Sequence, residues 1–311
     1  MSAEPEGSIT YAHLSPLIRE LAALPAPDRI ARLHDRRWIR YSRADVVLGK
    51  LETLFEYGPG SLRPPNLLIA GPTNNGKSMI AERFRRAHPS GPSEHGEHEI
   101  IPVLLVQMPA SPTIRRFYGA ILSALNAPVS PHGTIERAER LTLDILPKVG
   151  TRVLVVDELH NMLAGSWRQQ REFLNVLRFL GNTLRIPIVA LGTKEAQIAL
   201  RSDDQIENRF EPFVLPRWRD DHEFARLLAS FEASLPLRTA SGLAIDADLR
   251  ARILRRTGGM IGEINALLVN AARASLAAGR ECIDRQAIDK ADYRGPDERR
   301  AIFDAELRRG A

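Results

Sequence analysis

Cysteine is almost missing from this chain. One thiol, Cys282, among 311 residues excludes an internal disulfide and any metal site built from several cysteines. Long apolar runs are missing too. None approaches the ~18–20 residues that a membrane helix needs, so no membrane partner is expected. The opening residues, Met1 to Gly7, lack the charged-then-apolar pattern of a secretory leader. These absences point to a cytoplasmic protein. Lysine is scarce: of 43 basic residues only Lys50, Lys77, Lys148, Lys194 and Lys290 are lysines. Arginine forks suit phosphates and carboxylates, although genome composition gives the same bias. There is no internal repeat and no low-complexity tract. What is present, 44% hydrophobic and 26% charged residues, belongs to a soluble globular protein with a sizeable core. The formal charge of +5 permits nucleic acid as a partner without requiring it.

Periodicity divides the chain. Residues 1–47 read as a polar, helical segment rich in arginine. From 48 to 216, short apolar strands alternate with amphipathic helices. The strands are expected at 66–70, 101–107, 153–157, 186–191 and 212–215, and a helix at 172–184. Continuous apolar runs of this kind suit a parallel sheet buried on both faces. Residues 217–290 carry helical patterns only, two of them separated by Gly258 and Gly259, and residues 291–311 form a charged tail expected to fray. An α/β domain followed by a small helical domain is the expected architecture.

The strongest motif is Gly71-Pro72-Thr73-Asn74-Asn75-Gly76-Lys77-Ser78, a full match to G-x-x-x-x-G-K-[ST] placed between a strand and a helix, with Met79 completing the candidate nucleotide-binding segment. Glycines let backbone N–H groups curl around phosphates, and the helix that follows directs its positive end there. Lys77 would neutralise the β and γ phosphates of ATP, and Ser78 would ligate Mg²⁺. A second motif lies eighty residues on, counted from Lys77 to Asp157. There an apolar strand ends in Asp157 and Glu158. Asp157 would hold Mg²⁺, and Glu158 would polarise the attacking water, which favours hydrolysis over transfer to a small substrate. Residues 157–160 also resemble a helicase DExH box. The companion helicase motifs are not visible, and His160 reads as a helix-start residue without a special role. His95 and His98 read as solvated residues of a polar loop.

Two further candidates follow the fourth strand. Thr193 either touches the γ-phosphate or its water, or caps the next helix, and both roles are compatible. Arg209, with Arg201 in reserve, lies just before the last strand. It would act as a finger on a neighbouring subunit's γ-phosphate, or else be a solvated salt-bridging arginine.

In this order the motifs resemble the AAA+ ATPases. More narrowly, residues 38–44, 65–80, 155–161 and 258–264 resemble TniB, the ATPase of a group of bacterial DNA transposons, related to TnsC. The resemblance implies a three-layer αβα P-loop domain with strand order 5-1-4-3-2 and a small helical lid. It implies an ATP-regulated adaptor that assembles as a ring or helical filament on duplex DNA. A DDE transposase (TniA-like) and a TniQ-like target-selection protein are the implied partners. Residues 38–44 would help to close the nucleotide pocket, and Thr113, Arg115 and Arg116 would line the DNA channel through sequence-independent contacts. The same three residues also read as a plain helix start with solvated arginines. The chain departs from the family pattern at 259–263, where no arginine stands at the usual lid sensor position. That puts lid sensing in doubt and suggests slow hydrolysis. The alternatives are a helicase-loader or IstB-like helper ATPase, and a nucleotide-gated signalling scaffold that binds no DNA.

Overall fold

Five apolar runs become the parallel strands of one sheet: β1 (Asn66–Ala70), β2 (Val103–Gln107), β3 (Val153–Asp157), β4 (Ile188–Gly192) and β5 (Phe210–Val214). The computed structural model describes residues 11–35, 38–128, 133–201 and 207–310. The expectations for residues 1–10, and for 202–206 between Arg201 and Arg209, lie outside the described residues. Spatial order is β2-β3-β4-β1-β5, the 5-1-4-3-2 order expected. Every residue of β1, β3 and β4 is buried, so helices must cover both faces of the sheet.

Two strands start later than their apolar runs suggest, because proline cannot donate to a ladder. Pro102 and Pro187 precede β2 and β4 and contribute only carbonyls: Pro102 accepts from Arg152 and Val153, and Pro187 from Leu154. Pro212 sits inside β5, which is tolerable because β5 pairs only with β1 and forms the sheet edge. At the start of β1, the buried Asn66 side chain accepts the Ile188 N–H at 2.8 Å and fixes the β1–β4 register.

The crossovers are helical. α1 (Pro16–Ala23), α2 (Ala26–Ala31) and α3 (Ser42–Tyr57) precede the sheet. α4 (Lys77–Ala87) follows β1, α5 (Ile114–Ala124) and α6 (Ile135–Lys148) follow β2, α7 (Trp167–Leu184) follows β3, and α8 (Lys194–Leu200) follows β4. α7 begins five residues before its expected start at 172. The Ser166 hydroxyl accepts from Gln169 N–H, and the Gln169 side chain accepts from Ser166 N–H, a reciprocal cap that extends the helix. Its apolar face, Phe173, Leu174, Leu177 and Leu180, packs with Phe117 and Ile121 of α5 against Leu68, Val106, Val156 and Ala190 of the sheet.

Further helices among the described residues are α9 (His222–Glu232), α10 (Ala247–Thr257), α11 (Ile261–Ala277), α12 (Arg285–Lys290) and α13 (Pro296–Gly310). Among the described residues no helix is long and apolar enough to cross a membrane. Residues 296–310, expected as a fraying tail, are the helix α13. Glu298 accepts from Gly295 N–H at 3.1 Å at its start, and Arg299 bonds to the buried Glu263 at 2.7 Å.

The chain divides into two units, Arg43–Pro216 and the rest. The amino-terminal helices, expected as a segment of their own ending at 47, cluster with residues 217 onward. Ser15 N–H donates to Ala233, and Arg238 reaches the Ala22 carbonyl at 2.9 Å. Arg29 is 1% exposed, and its fork grips both oxygens of Glu281 at 2.7 Å, with a third bond to Pro236 at 2.9 Å. The Arg29 hydrogen bond holds the Glu281 carboxyl below its ordinary value of 4.5, against the opposing effect of burial. Removing one partner of a buried pair strands the other. Glu281→Ala is therefore expected to cost ~3 kcal/mol at neutral pH. Because the folded pKa is depressed, this contribution is full above pH 4.5 and disappears as pH falls through the folded value. Urea unfolding of wild type and Glu281→Ala should diverge at pH 7 and converge as pH falls below 4.5 and through the folded value. A gap independent of pH would contradict the pairing.

Candidate nucleotide-phosphate site

The site forms at the carboxy-terminal edge of the parallel sheet, where open α/β sheets hold ligands. All of it lies in the Arg43–Pro216 unit. β1 ends at Ala70, and the chain enters the loop at Gly71. A Cβ at Gly71 would lie 2.7 Å from the Leu215 carbonyl oxygen, so only glycine fits. The Gly71 N–H donates to Gly192 at the end of β4 and fixes the loop base to the sheet. Asn74 and Gly76 take left-handed φ values of 60° and 86°, which curl the loop before α4 starts at Lys77.

Asn75 closes the loop on its far side. It is 4% exposed, and its amide donates to Leu215 O at 2.8 Å and Pro216 O at 3.1 Å. The loop is thus tied to both neighbours of β1. Lys77 is 7% exposed, and its ammonium donates to the carbonyls of Gly71 at 2.9 Å and Pro72 at 2.7 Å. Burial lowers its pKa, while the charges of Glu158 and then Asp157 oppose that shift. Both carboxylates therefore act on the lysine through space.

Asp157 ends β3 and is buried, and one of its oxygens accepts Glu158 N–H at 2.7 Å. Glu158 adopts φ 56° and ψ 38°, a left-handed conformation that costs a non-glycine residue on the order of 1–2 kcal/mol. After it comes a short 3₁₀ turn, Leu159–Ala164. Asn161 on that turn donates to Met108 O at 2.9 Å, and Met108 N–H donates to Asp157 O at 2.8 Å, so the ends of β2 and β3 are joined. His160 Nε2 lies 3.0 Å from Glu158 Oε2.

Thr193 follows β4 and stands at the N-cap position of α8, yet its side chain makes no capping bond to that helix. Its hydroxyl hydrogen bond is instead the main reason the exposed Glu195 carboxyl is held below its ordinary value. In register, Ala70 pairs with Gly192 and Gln107 with Asp157, so the loop, Asp157, Glu158 and Thr193 share one edge. Among the described residues there is no cluster of three or more His, Cys, Asp or Glu suited to a metal. The donors on hand are the Ser78 hydroxyl and the Asp157 carboxylate. Two oxygen donors beside a phosphate site fit a small hard cation that keeps water and phosphate as its other ligands.

Arg209 is at the opposite edge. It precedes β5, whose first residue pairs with Asn66 at the start of β1. A five-residue strand spans about 17 Å, so Arg209 cannot serve its own loop. Its Nη1 donates to Asn182 Oδ1 at 2.5 Å, and burial, with the charges of Arg63 and Arg178, lowers its pKa. Arg201 pairs with Glu207 at 3.1 Å. Thr113, Arg115 and Arg116 are exposed at the start of α5, and the Thr113 hydroxyl caps that helix by accepting Arg116 N–H at 3.2 Å. Trp38 and Tyr41 stack at 6.4 Å in the other unit, where Tyr41 also meets the edge of Trp218 at 5.6 Å. In the turn 259–263, where the expected lid arginine is missing, Glu263 is buried and accepts from Tyr293 Oη and Arg299 at 2.7 Å each. That carboxylate is structural and raises the Tyr293 pKa together with burial, the larger cause.

The family model described as "Bacterial TniB protein" matches residues 29–220. The chain belongs to the TniB family. A search of curated proteins returns no match. Among solved structures, the ORC2 protein of Aeropyrum pernix in ADPNP–ADP complexes aligns with a TM-score of 0.59 and 18% identity, covering 84% of this chain and 71% of that one. Cdc6p of Pyrobaculum aerophilum aligns at 0.58 and 17%, covering 83% and 70%. The ORC1 protein of A. pernix in complex with DNA aligns at 0.55 and 16%, covering 85% and 68%. At such identities the likeness concerns the fold alone.

Sequence reasoning did not assign the roles of Asn75 and Asn161, or the His160–Glu158 contact. Polar side chains inside a motif carry no local sign of which carbonyl they will meet. Asn75→Ala would leave the buried Leu215 carbonyl and the partly buried Pro216 carbonyl without this donor, at about 1–3 kcal/mol. Denaturant unfolding is expected to show that loss. An unchanged midpoint would mean that the loop is held by its backbone alone.

Proposed function

We propose that this TniB protein is an ATPase that binds duplex DNA without sequence preference and regulates transposition as a target-selection adaptor. The observation that carries the reading is the buried Lys77 ammonium on the phosphate loop, with Asp157 and Glu158 acting on it from the end of β3. In this reading the backbone N–H groups of residues 71–78 and the start of α4 receive the phosphates, and Lys77 leaves its loop carbonyls for them. Ser78 and Asp157 hold Mg²⁺, which when bound supplies positive charge to the phosphate oxygens. Glu158 accepts a proton from the attacking water, and Thr193 contacts that water or the terminal phosphate.

Arg209 lies too far from its own loop. It is assigned to the nucleotide of a second copy of the chain, which makes hydrolysis depend on assembly as a ring or filament. A finger of this kind contributes on the order of 10³-fold or more. Thr113, Arg115 and Arg116, exposed at the start of α5, are assigned to phosphates of the duplex. The DNA complex of the structurally similar ORC1 supports a DNA partner for this fold, and membership of the TniB family supports a DDE transposase and a TniQ-like protein as further partners.

Two experiments test the reading. In the first, Lys77→Ala is expected to lose ATP binding, whereas Glu158→Gln retains binding with turnover reduced by at least about a hundredfold, in line with loss of a general base. Normal turnover by Glu158→Gln would remove the base assignment. The second is a band-shift salt series on two unrelated duplexes. Binding should require ATP and fall steeply with salt. Arg115→Ala with Arg116→Ala should weaken both duplexes equally and flatten the log–log slope by about 0.9 for each phosphate that the two side chains neutralise. Wild-type binding by the double variant would move the DNA interface elsewhere. Binding that ignores salt or nucleotide would contradict the adaptor reading.

A further inference from the structure

A groove of about 880 Å³ opens at the amino-terminal edge of the sheet, within the same unit as the phosphate loop. Arg63, Asn66, Glu207, Asn208, Arg209 and Glu211 are among the residues that line it. Its charges are not matched to one another. Glu207 is committed to Arg201 at 3.1 Å, and Glu211 to Lys50 at 2.5 Å. Neither acid is paired with an arginine of the groove. Arg209 bonds to the neutral amide of Asn182. Arg63 is exposed and has no hydrogen bond or ion pair among the described residues. Burial, and then the like charges of Arg63 and of Arg178 on α7, lower the Arg209 pKa, so these cations act on one another. Like charges held together destabilise the charged forms, and an anion between them removes that effect.

Arg63 is not carried by a loose loop. On one side Gly60 N–H donates to Arg185 O at 2.9 Å, and on the other Asn66 N–H donates to Arg209 O at 3.0 Å. Between these ties Pro64 and Pro65 fix two φ angles, and Pro64 also restricts Arg63 before it. The second tie joins the segment of Arg63 directly to Arg209.

Two guanidinium forks in one groove call for an anion with several acceptor oxygens and more than one charge. Phosphates meet both conditions better than a carboxylate does. The chain's own phosphate loop lies about 17 Å away, one strand length along the sheet. The phosphates must therefore come from another molecule. A head-to-tail contact between identical chains can set the amino-terminal edge of one sheet against the carboxy-terminal edge of the next, and it repeats in every copy.

We propose that Arg63 is a second phosphate-binding residue beside Arg209, and that the two forks together grip the terminal phosphates of ATP held by a second copy of the chain. The proposal rests on the ATPase reading above and on the assignment of Arg209 to a neighbouring nucleotide. Residue 63 lies outside the segments that carry the family resemblance, and no motif marks it.

The experiment uses full chains carrying Arg63→Gln, Arg209→Ala or Glu158→Gln, alone and mixed in pairs. The readouts are binding of a fluorescent non-hydrolysable ATP analogue and ATP turnover on duplex DNA. At dilutions that keep subunits apart, Arg63→Gln should bind the analogue as wild type does, because its own loop is intact. In assemblies it should bind about tenfold more weakly, the scale of one lost charge-assisted hydrogen bond. Its kcat should fall at least about tenfold, as for removal of a donor to transition-state charge. Glu158→Gln chains turn over poorly but offer both arginines. They should restore turnover when mixed with Arg63→Gln, and likewise with Arg209→Ala. Arg63→Gln mixed with Arg209→Ala should stay slow, since no chain in that mixture offers both forks.

Wild-type affinity and turnover in assembled Arg63→Gln overturn the proposal. Weaker analogue binding by its separated subunits does the same, as does recovery in the mixture of the two arginine variants. Both results would place Arg63 on its own chain's nucleotide. If Arg63→Gln loses duplex affinity across a salt series yet turns over normally once assembled, the groove takes DNA phosphates and the proposal falls. If Glu158→Gln fails to rescue Arg209→Ala, the assignment of Arg209 to a neighbour falls, and this proposal with it. Rescue of Arg209→Ala without rescue of Arg63→Gln removes the role of Arg63 alone.

Discussion

The desolvated ammonium of Lys77 sets the terms for the rest of the site. Burial disfavours its charge, the charges of Glu158 and Asp157 at the end of β3 oppose that effect, and two loop carbonyls accept from its Nζ. An ammonium in such a place needs strong acceptors near it. Terminal phosphates are better acceptors than the carbonyls of Gly71 and Pro72. In the proposed function the lysine therefore gives the loop its affinity for highly charged anions and places them beside Asp157 and Glu158. The surrounding glycine, the left-handed residues and the Asn75 anchor serve to keep that geometry fixed.

The parallel sheet converts this local chemistry into a two-ended device. Its carboxy-terminal edge gathers the loop, the two acids and Thr193, all within one hydrogen-bonded register. Its amino-terminal edge carries Arg209, held by Asn182. Strand length alone keeps these ends apart. A chain that uses both ends on one nucleotide must do so through a second copy of itself, which is why assembly and hydrolysis are linked in the proposed function.

Much of this was legible in the sequence. The five strands, their parallel pairing and the phosphate loop follow from apolar runs and one strongly constrained motif. The β3 acids follow from their position at the end of such a run. What was not legible depends on contacts between residues distant in sequence. Arg29 and Glu281 are 252 positions apart, and nothing local marks them as a buried pair that joins the amino-terminal helices to the carboxy-terminal ones. Glu263, at the end of the turn that lacks the expected arginine, anchors Tyr293 and Arg299, and so ties the start of the charged tail helix to α11. Thr193 lies where an N-cap belongs, but its hydroxyl is directed to Glu195, a choice set by the turn and not by residue type. His160 shows the same limit, since its two-residue return to Glu158 depends on the backbone conformation of Glu158.

The central claim is that residues 71–78 hold the phosphates of ATP. A crystal structure of the full chain with Mg²⁺ and a non-hydrolysable ATP analogue tests it most directly. The account predicts β and γ phosphates within the loop, Lys77 Nζ moved from the Gly71 and Pro72 carbonyls onto them, and the metal between Ser78 and Asp157. An analogue bound elsewhere, or a loop that keeps Lys77 on its own carbonyls at saturating analogue, would contradict it.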